Sequence, residues 1–314
     1  MNNESPDLSV VVAIVSDTTS PRADVAHLTE SLQRLTSGQI DPPSIEVIVP
    51  YLNHVDGIDT LSNEFPQVVF LPVNDIDMSA YKGGGREHHD VIRAKGMQIA
   101  KGRLVALLED CALPAENWAR AVVEAHESDF AGVGGAIENG VDRALNWSVY
   151  FCDFGRYQNP VPPGPSDFAS DANTSYKATD LALIASVWQK SFREVVVNEA
   201  LKQKGREVAL DSNIVVNQNR KGLSLGEALQ ERFVWGQSYA ATRNKSLSFP
   251  KRIFYAALSP ILPVLLLFRH ARIAQARKHN FGAFMRSAPL TFILLLSWSL
   301  GEAIGYLIGV KEKT

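Results

Sequence analysis

The chain has 314 residues and a formal net charge of -3, with 31 Lys and Arg against 34 Asp and Glu. That balance excludes the strongly basic surface of a nucleic-acid binder. Two cysteines, Cys111 and Cys152, are too few for a disulfide framework and fit a reducing compartment.

The opening Met-Asn-Asn-Glu-Ser-Pro-Asp lacks the basic start and apolar core of a signal peptide. The part before residue 250 is therefore expected in the cytoplasm. Leu8 to Val15 (LSVVVAIV) is rich in β-branched residues, ends at Ser16-Asp17 and predicts a first buried strand. Val25, Leu28, Leu32 and Leu35 recur at helical spacing over 22–36, with Ser20 and Pro21 as cap and first-turn residue. Ile45 to Val49 predicts a second strand, stopped by Pro50, and Val68 to Leu71 a third. Strand, helix and strand in this rhythm imply right-handed βαβ units and a mostly parallel α/β sheet. Tyr81 to Asp90 carries three successive glycines, Gly83 to Gly85. It matches neither a Walker A loop nor GxGxxG, and reads as a flexible loop or as one that folds over a ligand. Asp90 to Lys101 predicts a helix whose small residues Gly96 and Ala100, with Gly102 after it, allow close approach to a strand. Arg93 on it either meets a phosphate near a cleft or is solvated.

Leu104 to Cys111 (LVALLEDC) organises the rest. A continuous apolar run is the pattern of a parallel strand covered on both faces. It ends in Glu109 and Asp110, and ligands of open α/β sheets bind beyond the carboxyl ends of the strands. Trp118 to Glu127 then predicts a helix, and Phe130 to Ile137 a Gly-rich strand. Asn146 to Tyr157 is aromatic, Asn159 to Pro165 is a proline-rich loop, and Asp171 to Lys177 is a polar turn entering a short strand. Residues 180 to 204 predict a helix ending at Gly205. Val208 to Val216 is extended but broken at Asp211-Ser212-Asn213, and Leu223 to Arg243 is a long helix bearing Arg232 and Trp235.

The composition then changes, which divides the chain into 1–245 and a membrane-associated helical region, 246–314. Ile253 to Phe268 is apolar but short and interrupted by Pro260 and Pro263, while Ala288 to Gly309 reaches the ~20 residues of a bilayer span. Between Lys251 and Arg286 lie Lys251, Arg252, Arg269, Arg272, Arg277, Lys278 and Arg286 and no acid. If the first apolar segment spanned, this basic loop would lie opposite the catalytic part, against the positive-inside tendency. The first segment is therefore expected to lie in the interface or to re-enter.

The ordered set of pieces resembles a family 2 glycosyltransferase of GT-A fold over roughly residues 8 to 309. The pieces are LSVVVAIV, RAKGMQIAKG before the central strand, Glu109-Asp110-Cys111, the turn DANTSYK, EVVVNEALKQKG, QERFVWGQSYAATR and the closing GEAIGYLIG. The resemblance implies transfer of a sugar from a nucleotide-diphosphate donor to a lipid-linked or polysaccharide-precursor acceptor, with inversion. It implies a divalent Mg²⁺ or Mn²⁺ that neutralises the leaving diphosphate. By the same resemblance Asp110 is the first choice for metal ligand, with Glu109 for a ribose or metal contact. Cys111 departs from the family's acidic motif and is a poor ligand for a hard ion. Counting back from Gly205 puts Glu194 where the family's catalytic base falls, although the usual Glu-Asp pair is absent; Glu199 is the alternate. Asp17 and Arg93 are further donor-side candidates, and base recognition falls to Asp17, Asn53 or Asp56. Asn173, Arg232 and Trp235 are candidates for the acceptor or diphosphate. Gln230, Arg232 and Trp235 have the residue types of the processive motif without its spacing, which argues against a processive synthase. Two other readings remain: a catalytically degenerate GT-A domain that binds a nucleotide sugar or a partner, and a nucleotidyltransferase. The latter lacks the glycine-rich signature expected after the first strand.

Overall fold

The computed structural model describes residues 5–16, 25–74, 76, 87–244 and 247–308. Among these residues nine strands form one sheet. They are β1 (Leu8–Ala13), β2 (Ile45–Tyr51), β3 (Val69–Pro72), β4 (Leu104–Glu109), β5 (Ala112–Pro114), β6 (Gly132–Asn139), β7 (Gly164–Pro165), β8 (Asn173–Lys177) and β9 (Val208–Gln218). The helices are α1 (Val25–Thr36), α2 (Ile58–Glu64), α3 (Glu87–Ile99), α4 (Trp118–Ala125), α5 (Ala144–Asp153), α6 (Ala178–Leu183), α7 (Ala185–Trp188), α8 (Glu194–Gln203), α9 (Leu225–Asn244), α10 (Phe249–Leu258), α11 (Leu262–Arg277) and α12 (Phe281–Ile308). The chain forms two compact units. Of the described residues, one comprises those up to 76, 87–140 and 157–219; the other comprises 141–156 and those from 220 onward.

The first unit holds the sheet, in the order β3-β2-β1-β4-β8-β6-β9-β5 with β7 on β9. β3, β2, β1 and β4 run parallel, as the strand–helix–strand rhythm requires. β8 is antiparallel to β4 and to β6, so the sheet is mixed beyond the central strand. Every residue of β1 and of β4 is buried, as in strands covered on both faces, and the one polar residue within β1, Ser9, donates its hydroxyl to Glu46 Oε2 at 2.6 Å. β2 runs through Pro50 to Tyr51 instead of stopping there. Its ladder to β1 ends at Ile48, so the missing proline N–H breaks nothing on that side. α3 packs on β1 and β2. Gly96 permits this, since a Cβ there would sit 2.5 Å from Val11 Cγ1 and 3.2 Å from Pro50 Cγ. The core on this face joins Val11, Met97, Leu107, Tyr176, Phe192 and Leu201.

Residues 180 to 204 do not form one helix. They make α6, α7 and α8, with an irregular stretch from Gln189 to Arg193. No Gly or Pro announces this break; tertiary bonds impose it, because Phe192 N–H donates to the Asp90 carbonyl at 2.9 Å. Gly205 does stop α8, with φ 71° and Arg206 N–H on the Leu201 carbonyl at 3.0 Å.

In the second unit α12 packs on α5, α9, α10 and α11. At its crossing with α9 two glycines face backbone: a Cβ on Gly236 would strike the Trp298 carbonyl, and one on Gly301 the Phe233 carbonyl. Arg220 and Glu231 form a bidentate ion pair of 2.5 and 2.9 Å, and Arg232 forms another with Asp153. Pro260 and Pro263 fall in first-turn positions, where the absent N–H is not needed, so the helical stretch outruns the apolar run. Two helical segments are thus long and apolar enough to cross a membrane. Phe249–Arg277 has 29 residues and mean hydropathy 1.6 with 17% of its apolar window buried; Phe281–Ile308 has 28 residues and the same hydropathy with 44% buried.

Candidate active site

The first unit brings the acidic motif to the carboxyl end of the parallel strands. Ala13 on β1 pairs with Glu109 on β4, and Asp110 N–H donates to the Ala13 carbonyl at 2.9 Å. Just past both strands the Asp110 carboxylate accepts Val15 N–H at 3.2 Å and the Ser16 hydroxyl at 2.5 Å. Asp110 is fully buried, so its carboxylate oxygens need such hydrogen-bond donors. Asp17 lies outside the described residues, one position beyond Ser16. Asn53 and Asp56 follow β2 and are exposed.

Glu109 points to a different partner. Its Oε1 lies 3.2 Å from Arg93 Nη2, on α3. Arg93 is 0% exposed and also faces Asp171 at 3.0 Å and Asp90 at 3.8 Å. The Asp90 Oδ2 accepts Arg193 Nε–H at 3.0 Å. Asp90, Asp171, Arg193 and Ser16 were not singled out as site residues in the sequence. Asp90 carries a local signal, since it sits one helical turn before Arg93. Asp171 and Arg193 become neighbours only through the fold.

Glu194 opens α8 and is half-buried, and a carboxylate in a first helical turn is favoured by the helix dipole. It lies near Tyr176, whose hydroxyl pKa is driven well above its usual value first by burial and then by the charges of Glu194 and Asp171. That hydroxyl stays protonated and donates to Asn198 Oδ1 at 2.8 Å, one turn into α8. Glu199 is exposed farther along the helix and accepts Gln203 Nε2–H at 3.1 Å.

The remaining candidates are engaged within the fold. Asn173 is fully buried in β8; its amide donates to the carbonyls of Ala136 and Ile214 and accepts from Trp118 Nε1–H. Arg232 and Trp235 belong to the second unit, where the Arg232 guanidinium lies 4.0 Å over the Trp235 ring and pairs with Asp153. Trp235 itself is half-buried.

Among the described residues no three His, Cys, Asp or Glu side chains converge on a metal-binding cage. The Cys111 thiol is buried and donates to Gln218 Oε1 at 3.0 Å, which leaves oxygen donors only. One or two carboxylates with phosphates completing the shell is the donor set that Mg²⁺ and Mn²⁺ take, so a short acidic motif fits such an ion.

No protein-family model matches the sequence, and no curated protein does. Among solved structures the chain is similar to the mannosyltransferase PcManGT from Pyrobaculum calidifontis in complex with GDP-Man and Mn²⁺, with TM-score 0.54 and 14% identity over 98% of this chain and 89% of that one. TarS of S. aureus, residues 1–349, gives TM-score 0.43 and 12% identity over 95% and 90%. The first likeness establishes the fold: a glycosyltransferase-type α/β sheet flanked by helices, followed here by two apolar helices.

Proposed function

We propose that the chain is a membrane-associated glycosyltransferase of the GT-A, family 2 kind. It would move a sugar from a nucleotide-diphosphate donor to a lipid-linked or saccharide acceptor, with inversion. The observation that carries this reading is the pair Glu109-Asp110 at the carboxyl end of β4, beside the end of β1, on a sheet similar to that of a mannosyltransferase. That protein was solved with GDP-Man and Mn²⁺, which supports a nucleotide sugar and a divalent cation here.

In this reading Asp110 holds the Mg²⁺ or Mn²⁺ and anchors the end of β1 against the donor. The ion, when bound, supplies positive charge to the departing diphosphate. Glu109 keeps its place on the donor side through Arg93. Glu194 takes the acceptor hydroxyl proton as general base, with Glu199 the alternate. Arg232 and Trp235 remain candidates for the acceptor or diphosphate; they stack on one another within the second unit. Asn173 supports the site from within the sheet.

The membrane part of the proposal rests on the second unit. α12 crosses the bilayer and the segment α10–α11 lies in its surface, with the first unit cytoplasmic. Phe254, Ile261, Leu265 and Phe268 on that segment are exposed, and so are Lys251, Arg269, Arg272 and Lys278, which form no ion pair among the described residues. Exposed cations beside exposed apolar side chains suit an anionic lipid surface.

The test is a titration of purified protein with nucleotide-diphosphate sugars, with and without Mn²⁺ or Mg²⁺, following binding and release of nucleotide. One donor should bind in a metal-dependent way, and Asp110→Ala should abolish it. The degenerate-domain reading draws on Glu109 being tied to Arg93 and the Cys111 thiol to Gln218. Donor binding that never yields free nucleotide, with any acceptor extract, would favour it.

A further inference from the structure

Arg93 was expected to be either solvated or a phosphate ligand, and its surroundings suit neither role. The side chain is 0% exposed. Three carboxylates from three places in the fold surround it: Asp90 one turn earlier on α3, Glu109 at the end of β4, and Asp171 before β8. Beside three carboxylates the guanidinium keeps little net positive charge for a diphosphate, and among the described residues only its Nη2 forms a hydrogen bond, to Glu109.

What it does have is a connection to α8. Asp90 stands between Arg93 and the segment that enters that helix. Its Oδ2 accepts Arg193 Nε–H at 3.0 Å, and its carbonyl accepts Phe192 N–H at 2.9 Å. Phe192 is fully buried with its ring 6.0 Å from that of Tyr176, and the Tyr176 hydroxyl grips Asn198 in the next turn of α8. The first turn of α8 is thus pinned on both sides. One line leads back to Asp90, which is joined to Arg93 by a 3.8 Å ion pair within α3, and Arg93 donates to Glu109 Oε1 at 3.2 Å at the strand end that carries the acidic motif.

We propose that Arg93 is a positioning residue: through the chain Glu109–Arg93–Asp90–Arg193 it sets the first turn of α8, and with it Glu194, at a fixed place relative to Glu109. The catalytic half of this inference rests on the assignment of Glu194 as base; the mechanical half does not. A carboxylate that removes a proton must be held within hydrogen-bond reach of it, and misplacement by about 1 Å costs about a hundredfold in rate.

The experiment uses the full chain and the variants Asp90→Asn, Arg193→Gln and Arg193→Lys, with Arg93→Lys beside them. Arg193 is half-exposed, so its variants leave the core intact. Hydrogen exchange without substrate comes first. Asp90→Asn and Arg193→Gln should speed exchange of the first α8 turn about tenfold and leave β1 and β4 unchanged, while Arg193→Lys keeps most of the protection. Turnover comes second. The same two variants should lose about tenfold to a hundredfold in kcat, keep donor affinity within about twofold, and shift the limb of the kcat–pH profile that reports the base. Arg193→Lys should restore part of the rate. Unchanged exchange at α8 would overturn the proposal. So would Arg93→Lys abolishing donor binding while α8 stays protected, because that is the signature of a phosphate ligand. If the wild-type chain binds no donor at all, the enzyme reading fails, and α8 exchange in Arg93→Lys still decides whether Arg93 governs α8: faster exchange supports the proposal and unchanged exchange overturns it.

Discussion

Replacing Asn173 by alanine separates a structural amide from an acceptor contact. The amide sits where β6 and β9 lose register: Gly135 pairs with Asp211, but Ala136 pairs with Val215. The irregularity takes the carbonyls of Ala136 and Ile214 out of the regular ladder, and the Asn173 amide donates to them at 2.9 and 3.0 Å. Its oxygen accepts the Trp118 indole N–H at 3.0 Å, and both side chains are fully buried. Alanine removes three hydrogen bonds and leaves two carbonyls and one indole N–H without them. At roughly 1–2 kcal/mol for each, the loss comes to about 3–6 kcal/mol. That is a large share of the ~5–15 kcal/mol that holds a typical native state, and at ~2–4 °C per kcal/mol it lowers Tm by about 10 °C. Asn173→Asp should do no better at neutral pH, since a carboxylate cannot donate to either carbonyl. Tryptophan-fluorescence melting measures both variants, and acceptor KM is recorded on the same samples. A Tm within about 2 °C of wild type, joined to a markedly raised acceptor KM, would refute the reasoning and return Asn173 to the acceptor site.

Gly301→Leu forces a side chain into the α9 backbone at Phe233; overpacking costs ~1–3 kcal/mol when the surroundings can shift and more where they are main chain, so this variant should melt well below Gly282→Leu, whose site is open. The His126 ring is buried, and this burial, with the nearby charges of Lys177 and Arg103, lowers its pKa to about 4. Its unfolded value is about 6.5, so the unfolded chain binds the proton more tightly. Stability is therefore full above pH ~6.5 and falls as pH drops toward ~4, by an amount on the order of 3 kcal/mol. His126→Gln should flatten urea-unfolding stability across that window, and an unchanged pH slope would count against the assignment. Arg232→Lys keeps the charge but loses the fork that meets both Asp153 oxygens and the stack on Trp235. It should lower Tm by several degrees and redden or quench Trp235 emission; a melt identical to wild type would show that the pair adds nothing.

The parallel half of the sheet was legible because its strands are uninterrupted apolar runs that end in polar residues at the crevice. LVALLED shows both the strand and the place where Glu109 and Asp110 emerge. The partner of those acids was not legible. Arg93 stands on a helix of mixed polarity, and nothing local says that Asp171 will be folded against it. The same limit applies to the break before α8. Periodicity from 180 to 204 is helical throughout, and the interruption comes from Asp90 capturing Phe192 and Arg193. Asn173 is the opposite case. Its position in a polar turn suggested a ligand contact, whereas the register shift it caps involves β6 and β9, which no short window of sequence contains together. Pro260 and Pro263 do stand where α10 gives way to α11, and the stretch stays helical between them because both fall in first-turn positions.

The glycine crossing of α9 and α12 governs how this protein can be handled. A chain cut before Phe281 would not leave the second unit intact. It would leave Gly236, Phe233 and Gln237 facing solvent where Trp298, Gly301 and Gly305 had met them. It would also strip the apolar cluster around Leu145, Val149 and Ala228 of Leu294. The helix carrying Arg232 and Trp235 therefore depends on the last apolar helix for its shape.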